Sequence, residues 1–222
     1  MQFFKESVDE GAKKLCELLL HELKQDKTVS WFLSGGSNLK VATQIMHKLL
    51  GHEDKLIVTL ADERYGPVGH KDSNWQQLLD AGFDPGNAVK YPVLQEGLSL
   101  QATARMFELT LQDCLTKADT VVALLGIGLD GHISGILPHS PATRPTDSLV
   151  VGYETDQYDR ITTTFKALKK IDTAFCLAYG LGKKPALLNL RDKKLPLEEQ
   201  PAQILKQIKQ AYVYNDQVGE TK

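Results

Sequence analysis

The chain has 222 residues, 42% apolar and 24% charged, with a formal net charge of −2 at pH 7. This is ordinary globular composition, sized for one large domain or two small ones. It lacks the basic surplus of a nucleic-acid binder, and no apolar run approaches the roughly 20 residues that span a bilayer.

The N-terminal stretch MQFFKESVDEGAKK turns charged at once and has no signal-peptide core. Residues 7–24 place Val8, Ala12, Leu15, Leu19 and Leu23 at helical spacing. TVSWFL (28–33) is a β-rich run ending in SGGS, and 38–50 is helical, closed by Gly51. KLIVTLA (55–61) reads as a buried strand, followed by a polar loop, DERYGPVGHKDSN. A helix is expected over 74–79, capped by Ser73 or Asn74. Residues 80–97 read as loop, and 99–115 as a long amphipathic helix. TVVALLG (120–126) is the clearest buried strand. LVVGY (149–153) and RITTTF (160–165) are strand-like and close enough to pair. TAFCLAYG (173–180) is another apolar strand, KKPALLNL (183–190) a helix with Pro185 in its first turn, and a short helix and a strand follow. Cys16, Cys114 and Cys176 are far apart and form no C-x-x-C, which predicts reduced core thiols in a cytoplasmic protein.

Strands alternating with helices predict an α/β fold, with a three-layer, mostly parallel Rossmann-like sheet and helices on both faces. No repeat, low-complexity tract or linker interrupts 1–222, so one domain is expected. In such sheets ligands bind beyond the carboxyl ends of the strands. SGGSN, DERYGP and GIGLDGH each follow a strand, so all three are expected at one crevice.

LLGIGLDGHISGILP (124–138) contains G-x-G-x-x-G after an apolar run, the spelling of a dinucleotide-binding turn. That reading needs a helix next, but Pro138 and Pro141 interrupt the chain. It also needs an acidic residue ending the following strand, and Asp147 precedes its apolar run instead. Gly126, Gly128 and Gly131 fit a loop that presents His132, with Asp130 close enough to orient the imidazole as a general base. His21, His47, His52 and His70 read as surface or packing residues. No H-E-x-x-H, G-x-S-x-G or Walker A pattern is present. SGGSN fits either an anion-binding nest at a helix start or a plain tight turn. Asp62 and Arg64 stand at a strand exit, where active-site groups gather. Arg160 and Lys183 are candidates to hold a phosphate.

Together these segments resemble the 6-phosphogluconolactonases, whose superfamily also holds the glucosamine-6-phosphate deaminases. LSGGSN resembles L-S-G-G-S/T-x-P, DERYGP…SNWQQL resembles D-E-R-x-V-P…S-N, and LLGIGLDGHISGILP resembles L-G-x-G-x-D-G-H-x-A-S-L-F-P. RITTTFKAL and YGLGKKPAL resemble the R-I/V-T-L-T and G-x-x-K-x-x-x-L motifs. The resemblance implies a sugar-phosphate isomerase/CoA transferase-like fold and hydrolysis of 6-phosphoglucono-δ-lactone in the pentose phosphate pathway. It implies a catalytic set of His132, Asp62, Arg64 and Asp130, and substrate or phosphate contacts from Ser34, Gly35, Gly36, Ser37, Asn74, Arg160 and Lys183. It also implies no metal and no cofactor, a small-molecule sugar phosphate as the only partner, and a monomer or weak homodimer.

The sequence departs from the family pattern at Leu39, Ser134, Gly135 and His139. Leu137 stands where the deaminases carry a glutamate. A deaminase or isomerase of the same superfamily, and a catalytically silent sugar-phosphate sensor, are the alternatives.

Overall fold

Every residue of VSWFL, LIVTL and TAFCL is buried, which requires cover on both faces of a sheet. The computed structural model, which describes residues 1–220, provides that cover with helices between parallel strands. The first half runs β1 (Gln2–Lys5), α1 (Val8–Lys24), β2 (Val29–Leu33), α2 (Leu39–Leu49), β3 (Leu56–Leu60), β4 (Asp62–Arg64), α3 (Asn74–Asp80) and β5 (Val89–Tyr91). The second half runs α4 (Leu100–Lys117), β6 (Thr120–Leu125), β7 (Val150–Tyr153), β8 (Arg160–Thr163), α5 (Phe165–Leu168), β9 (Thr173–Leu177), α6 (Lys184–Asp192) and β10 (Gln210–Asn215). Serine caps start three helices. Ser7, Ser73 and Ser99 accept from the N–H groups of Glu10, Gln76 and Ala102, contacts worth about 1 kcal/mol each.

The main sheet has the order β1-β10-β9-β6-β2-β3-β5, and all its pairings are parallel. From β2 the chain moves outward to β3 on one side. The later strands β6 and β9 lie on the other side. The order therefore reverses between β2 and β6, and the crevice beyond their carboxyl ends is the expected ligand position. A second sheet, β4-β8-β7, is antiparallel and stands beside that crevice. The expected pairing of the two strand-like runs is its β7–β8 ladder. Cys16, Cys114 and Cys176 are free and buried, and burial pushes the Cys114 and Cys176 thiols up to about 12.

Three strands depart from the sequence reading. β1 was not anticipated; it forms an edge by pairing with β10. β5 falls in 80–97, read as loop, because an edge strand of VKY with two exposed residues has no apolar run to signal it. DER was read as loop but is β4, paired residue for residue with β8. Its polarity belongs to the crevice.

Candidate active site

The three polar segments meet in one cleft of about 300 Å³. Ser34, Gly35, Gly36 and Ser37 line it from the exit of β2, Asp62, Arg64 and Asn74 from β4 and α3, and Gly126 to Leu129 with His132 from the exit of β6. Arg160, Lys183 and Ser134 complete the lining. Every candidate residue named from the sequence lies in this lining except Asp130, which stands behind His132.

The turn after β6 contains no helix; its order comes from bridges of Ile127 to Ile133 and Ile133 to Ile136. The glycine spelling of a dinucleotide turn therefore serves another purpose. The Asp130 carboxylate accepts from the His132 backbone N–H at 3.0 Å and meets its Nδ1 at 2.7 Å. Because an ionised carboxylate only accepts, Nδ1 carries the hydrogen, and in the neutral imidazole Nε2 is then the nitrogen able to accept a proton. Burial works against the Asp130 charge, but the bonds from His132 outweigh it and hold the carboxyl below its usual value. A Cβ on Gly128 would lie 2.1 Å from His132 Nδ1 and 2.6 Å from Asp130 Oδ1. Glycine is required there so that the histidine–aspartate pair has room.

In the other glycine loop, the Ser34 hydroxyl donates to the Leu124 carbonyl at 3.2 Å and accepts from Asn38. That hydroxyl ties β2 to β6, while Ser37 stays exposed. A Cβ on Gly35 would lie 2.1 Å from Asn74 Oδ1, so glycine lets α3 close over the loop. The departure Leu39 occupies the first position of α2, where the family's proline also fits, and its N–H turns back to Gly36.

The adjacent carboxylates Asp62 and Glu63 have different roles. Glu63 is fully buried and accepts from the N–H groups of Arg64, Asn74 and Trp75 and from the Ser73 hydroxyl. It anchors the start of α3. Asp62 faces the cleft, with Asn74 donating to its carbonyl at 2.9 Å and to its carboxylate at 3.4 Å. Burial pushes the Asp62 pKa up, against the opposing pull of Arg160, His132, Arg64 and the Asn74 hydrogen bond.

Arg64 and Arg160 are directly opposite across the β4–β8 ladder. Like charges so placed destabilise a sheet. Among the described residues neither makes an ion pair, and the Nε of each is buried without a partner. Arg64 is steadied by the Asp72 carbonyl at 3.2 Å and by the Tyr158 ring, 4.9 Å from its guanidinium carbon. Lys183, at the start of α6, is half-buried, and burial lowers its pKa. Three cations thus line the cleft with no carboxylate at ion-pair distance among the described residues, and Asp62 is the nearby acid that acts on both arginines.

Sequence reasoning missed Ser134, Tyr158 and Gln200. Ser134 was noted only as a departure from a motif. Tyr158 reaches Arg64 from the connection between β7 and β8, a contact that chain order does not show. Gln200 lies against Gly131 and donates to the Ala186 carbonyl at 2.7 Å, joining the histidine turn to α6. His21, His47 and His52 are exposed, and His70 meets the Arg64 carbonyl at 3.0 Å in a packing role. His139 is exposed and outside the cleft, its N–H bonded to the Glu198 carbonyl.

Fold and cleft define an α/β protein whose cleft gathers cationic side chains beside a carboxylate-oriented histidine. The family described as glucosamine-6-phosphate isomerases/6-phosphogluconolactonase matches residues 4–214, and the chain belongs to it. A 6-phosphogluconolactonase of Nostoc sp. is 29% identical over 177 residues, covering 74% of this chain and 72% of that protein. One from Caulobacter vibrioides is 28% identical over 211 residues, covering 90% and 88%. Among solved structures, a 6-phosphogluconolactonase from Shewanella baltica superposes with a TM-score of 0.82 at 19% identity, covering 96% of each chain. A monomeric glucosamine-6-phosphate deaminase superposes almost equally, with a TM-score of 0.81 at 17% identity and 97% of each chain covered. The fold is therefore common to both chemistries, and the side chains must distinguish them.

Proposed function

We propose that this protein hydrolyses 6-phosphoglucono-δ-lactone to 6-phosphogluconate, with His132 as general base. The observation that carries this reading is the 2.7 Å contact of His132 Nδ1 with Asp130 in a cleft that also gathers three cations with no ion pair among the described residues. A lactone is an activated ester, so its opening needs one base and one water. His132 Nε2 takes a proton from water as the oxygen attacks C1, then returns it to the ring oxygen as the C1–O bond breaks. Assistance of this kind contributes about 10² to 10⁴ in rate. The loop N–H groups or Arg64 stabilise the oxyanion. Arg160 and Lys183 hold the phosphate, which supplies binding energy remote from the carbonyl. Asn74 holds Asp62 in place between the two glycine loops. The buried free thiols suit a reducing cytoplasm.

Deamination of glucosamine-6-phosphate requires ring opening, proton transfer between C1 and C2, and loss of ammonia. It needs several positioned acids and bases. The deaminase glutamate position holds Leu137, which lies outside the cleft lining. The test is acid release from the lactone above the spontaneous rate, with ammonia release from glucosamine-6-phosphate followed in parallel. Lactone opening without ammonia is expected. Ammonia at a rate comparable to lactone opening would overturn the assignment.

A further inference from the structure

Ser134 is 7% exposed and lines the cleft, and its Oγ is buried without a hydrogen-bond partner among the described residues. Its backbone is in the left-handed region, at φ 51°. Neighbours enforce that conformation. Ile133 bridges to both Ile127 and Ile136, and the Ile136 N–H bonds the Ile133 carbonyl. The Gly135 N–H donates to the Thr162 hydroxyl at 3.0 Å, and the Tyr153 hydroxyl donates to the Gly135 carbonyl at 2.5 Å. A Cβ on Gly135 would lie 2.9 Å from the Thr162 side chain. The segment thus holds a serine in an unfavourable conformation, with its hydroxyl unsatisfied. Neither cost has a structural return in the free protein.

We infer that Ser134 is a specificity-determining contact whose hydroxyl hydrogen-bonds a hydroxyl on the sugar portion of the ligand. The inference rests on the lactonase reading for the identity of that ligand. The unpartnered polar atoms of the cleft divide by charge. Arg64 Nε and Arg160 Nε are cationic donors suited to an anion, whereas Ser134 Oγ and Asn74 Oδ1 are neutral. A hydroxyl both donates and accepts, which matches the alcohols of a sugar. No hydrogen bond links Ser134 to His132, so the hydroxyl is a binding group and not an activated nucleophile.

Ser134→Ala and Ser134→Gly test this; the glycine variant also relieves the backbone strain. Three readouts separate the outcomes: lactone kinetics, calorimetric affinity for 6-phosphogluconate and for inorganic phosphate, and Tm of the unliganded protein. Both variants should lose about 3- to 10-fold in kcat/KM, chiefly through KM, the size of one neutral hydrogen bond. Affinity for 6-phosphogluconate should fall by a similar factor and affinity for inorganic phosphate should not change. The unliganded Tm of Ser134→Ala should not fall. Unchanged affinity for 6-phosphogluconate in both variants would overturn the inference. So would an equal loss toward inorganic phosphate, which would place the serine on the phosphate, or a lowered Tm, which would make its role structural. Wild-type protein that binds 6-phosphogluconate without opening the lactone would overturn the lactonase reading alone, and the binding comparison would still decide Ser134.

Discussion

The loops that follow β2 and β6 are both rich in glycine, both leave buried parallel strands, and both line the cleft, but they use glycine differently. After β2 the chain enters a short 3₁₀ turn and then α2, and Ser34 to Ser37 line the cleft just before that helix. Gly35 allows Asn74 to close over that loop. After β6 no α-helix follows before β7, and the backbone first folds on itself through isoleucine bridges. There Gly128 leaves room for His132 and Asp130. The first loop lines the cleft mainly with backbone and serine; the second brings an imidazole into it. The element that follows a glycine motif, more than its spelling, indicates which of the two it is.

The largest effect should come from the side chain the second loop presents. His132→Asn should lower kcat by about two to four orders of magnitude with little change in substrate affinity. Stopped-flow measurement of lactone opening checks this, and near-normal turnover would remove the base from the mechanism. Gly128→Ala should approach it, with a loss of about 10²-fold in kcat, because a Cβ at 2.1 Å from Nδ1 must displace the ring. Gly35→Ala, equally crowded against Asn74, should act mainly on KM. The contrast between the two glycine variants breaks the comparison if their effects are interchanged.

Arg160→Ala belongs to the anion side of the same contrast. Loss of a charge-assisted contact worth about 1.5–3 kcal/mol raises KM about 10- to 100-fold. Arg160→Lys should recover only part of that, since a point charge replaces a fork. Phosphorylated and unphosphorylated gluconolactone should respond differently, and an equal response would detach Arg160 from the phosphate.

Much of this was legible in the sequence, for identifiable reasons. Strands such as TVVALL and LIVTL carry their own apolar signal, and the order of strands and helices implied the parallel sheet. The convergence of SGGSN, DER and GIGLDGH follows from the rule that strand exits share one end of such a sheet. The partition of function inside DER was not legible, because Asp62 and Glu63 differ only in which face of a three-residue strand they occupy. Nor was the apposition of Arg64 and Arg160, which depends on a register between segments nearly a hundred residues apart. Ser134 was invisible as a site because its significance is an unsatisfied hydroxyl, a property of packing and not of sequence.

Asp62 links the two loops, and its replacement gives the smallest effect, in stability. Asn74 connects it to the loop of Gly35, and His132 acts on it electrostatically from the other loop. Burial raises its folded pKa above the ordinary carboxylate value, and the nearby cations do not fully compensate. Below the ordinary carboxylate range the group is protonated in both folded and unfolded chains, so it contributes nothing to the difference between them. As pH rises through that range the unfolded chain releases its proton while the folded chain retains it, and stability falls until pH passes the folded pKa. Asp62→Asn cannot titrate and keeps an oxygen able to accept from Asn74. Its Tm should therefore equal or exceed that of the unmodified protein at neutral pH, with the gap closing as pH is lowered into the ordinary carboxylate range. Lactone opening should nevertheless be slower, since an amide replaces the carboxyl group that faces His132, Arg64 and Arg160. Glu63→Gln provides the control. That carboxylate accepts four hydrogen bonds at the start of α3, so its neutralisation should lower Tm by several degrees. A pH-independent loss of Tm in Asp62→Asn, matching that of Glu63→Gln, would make both carboxylates structural and leave the two loops without a charged link.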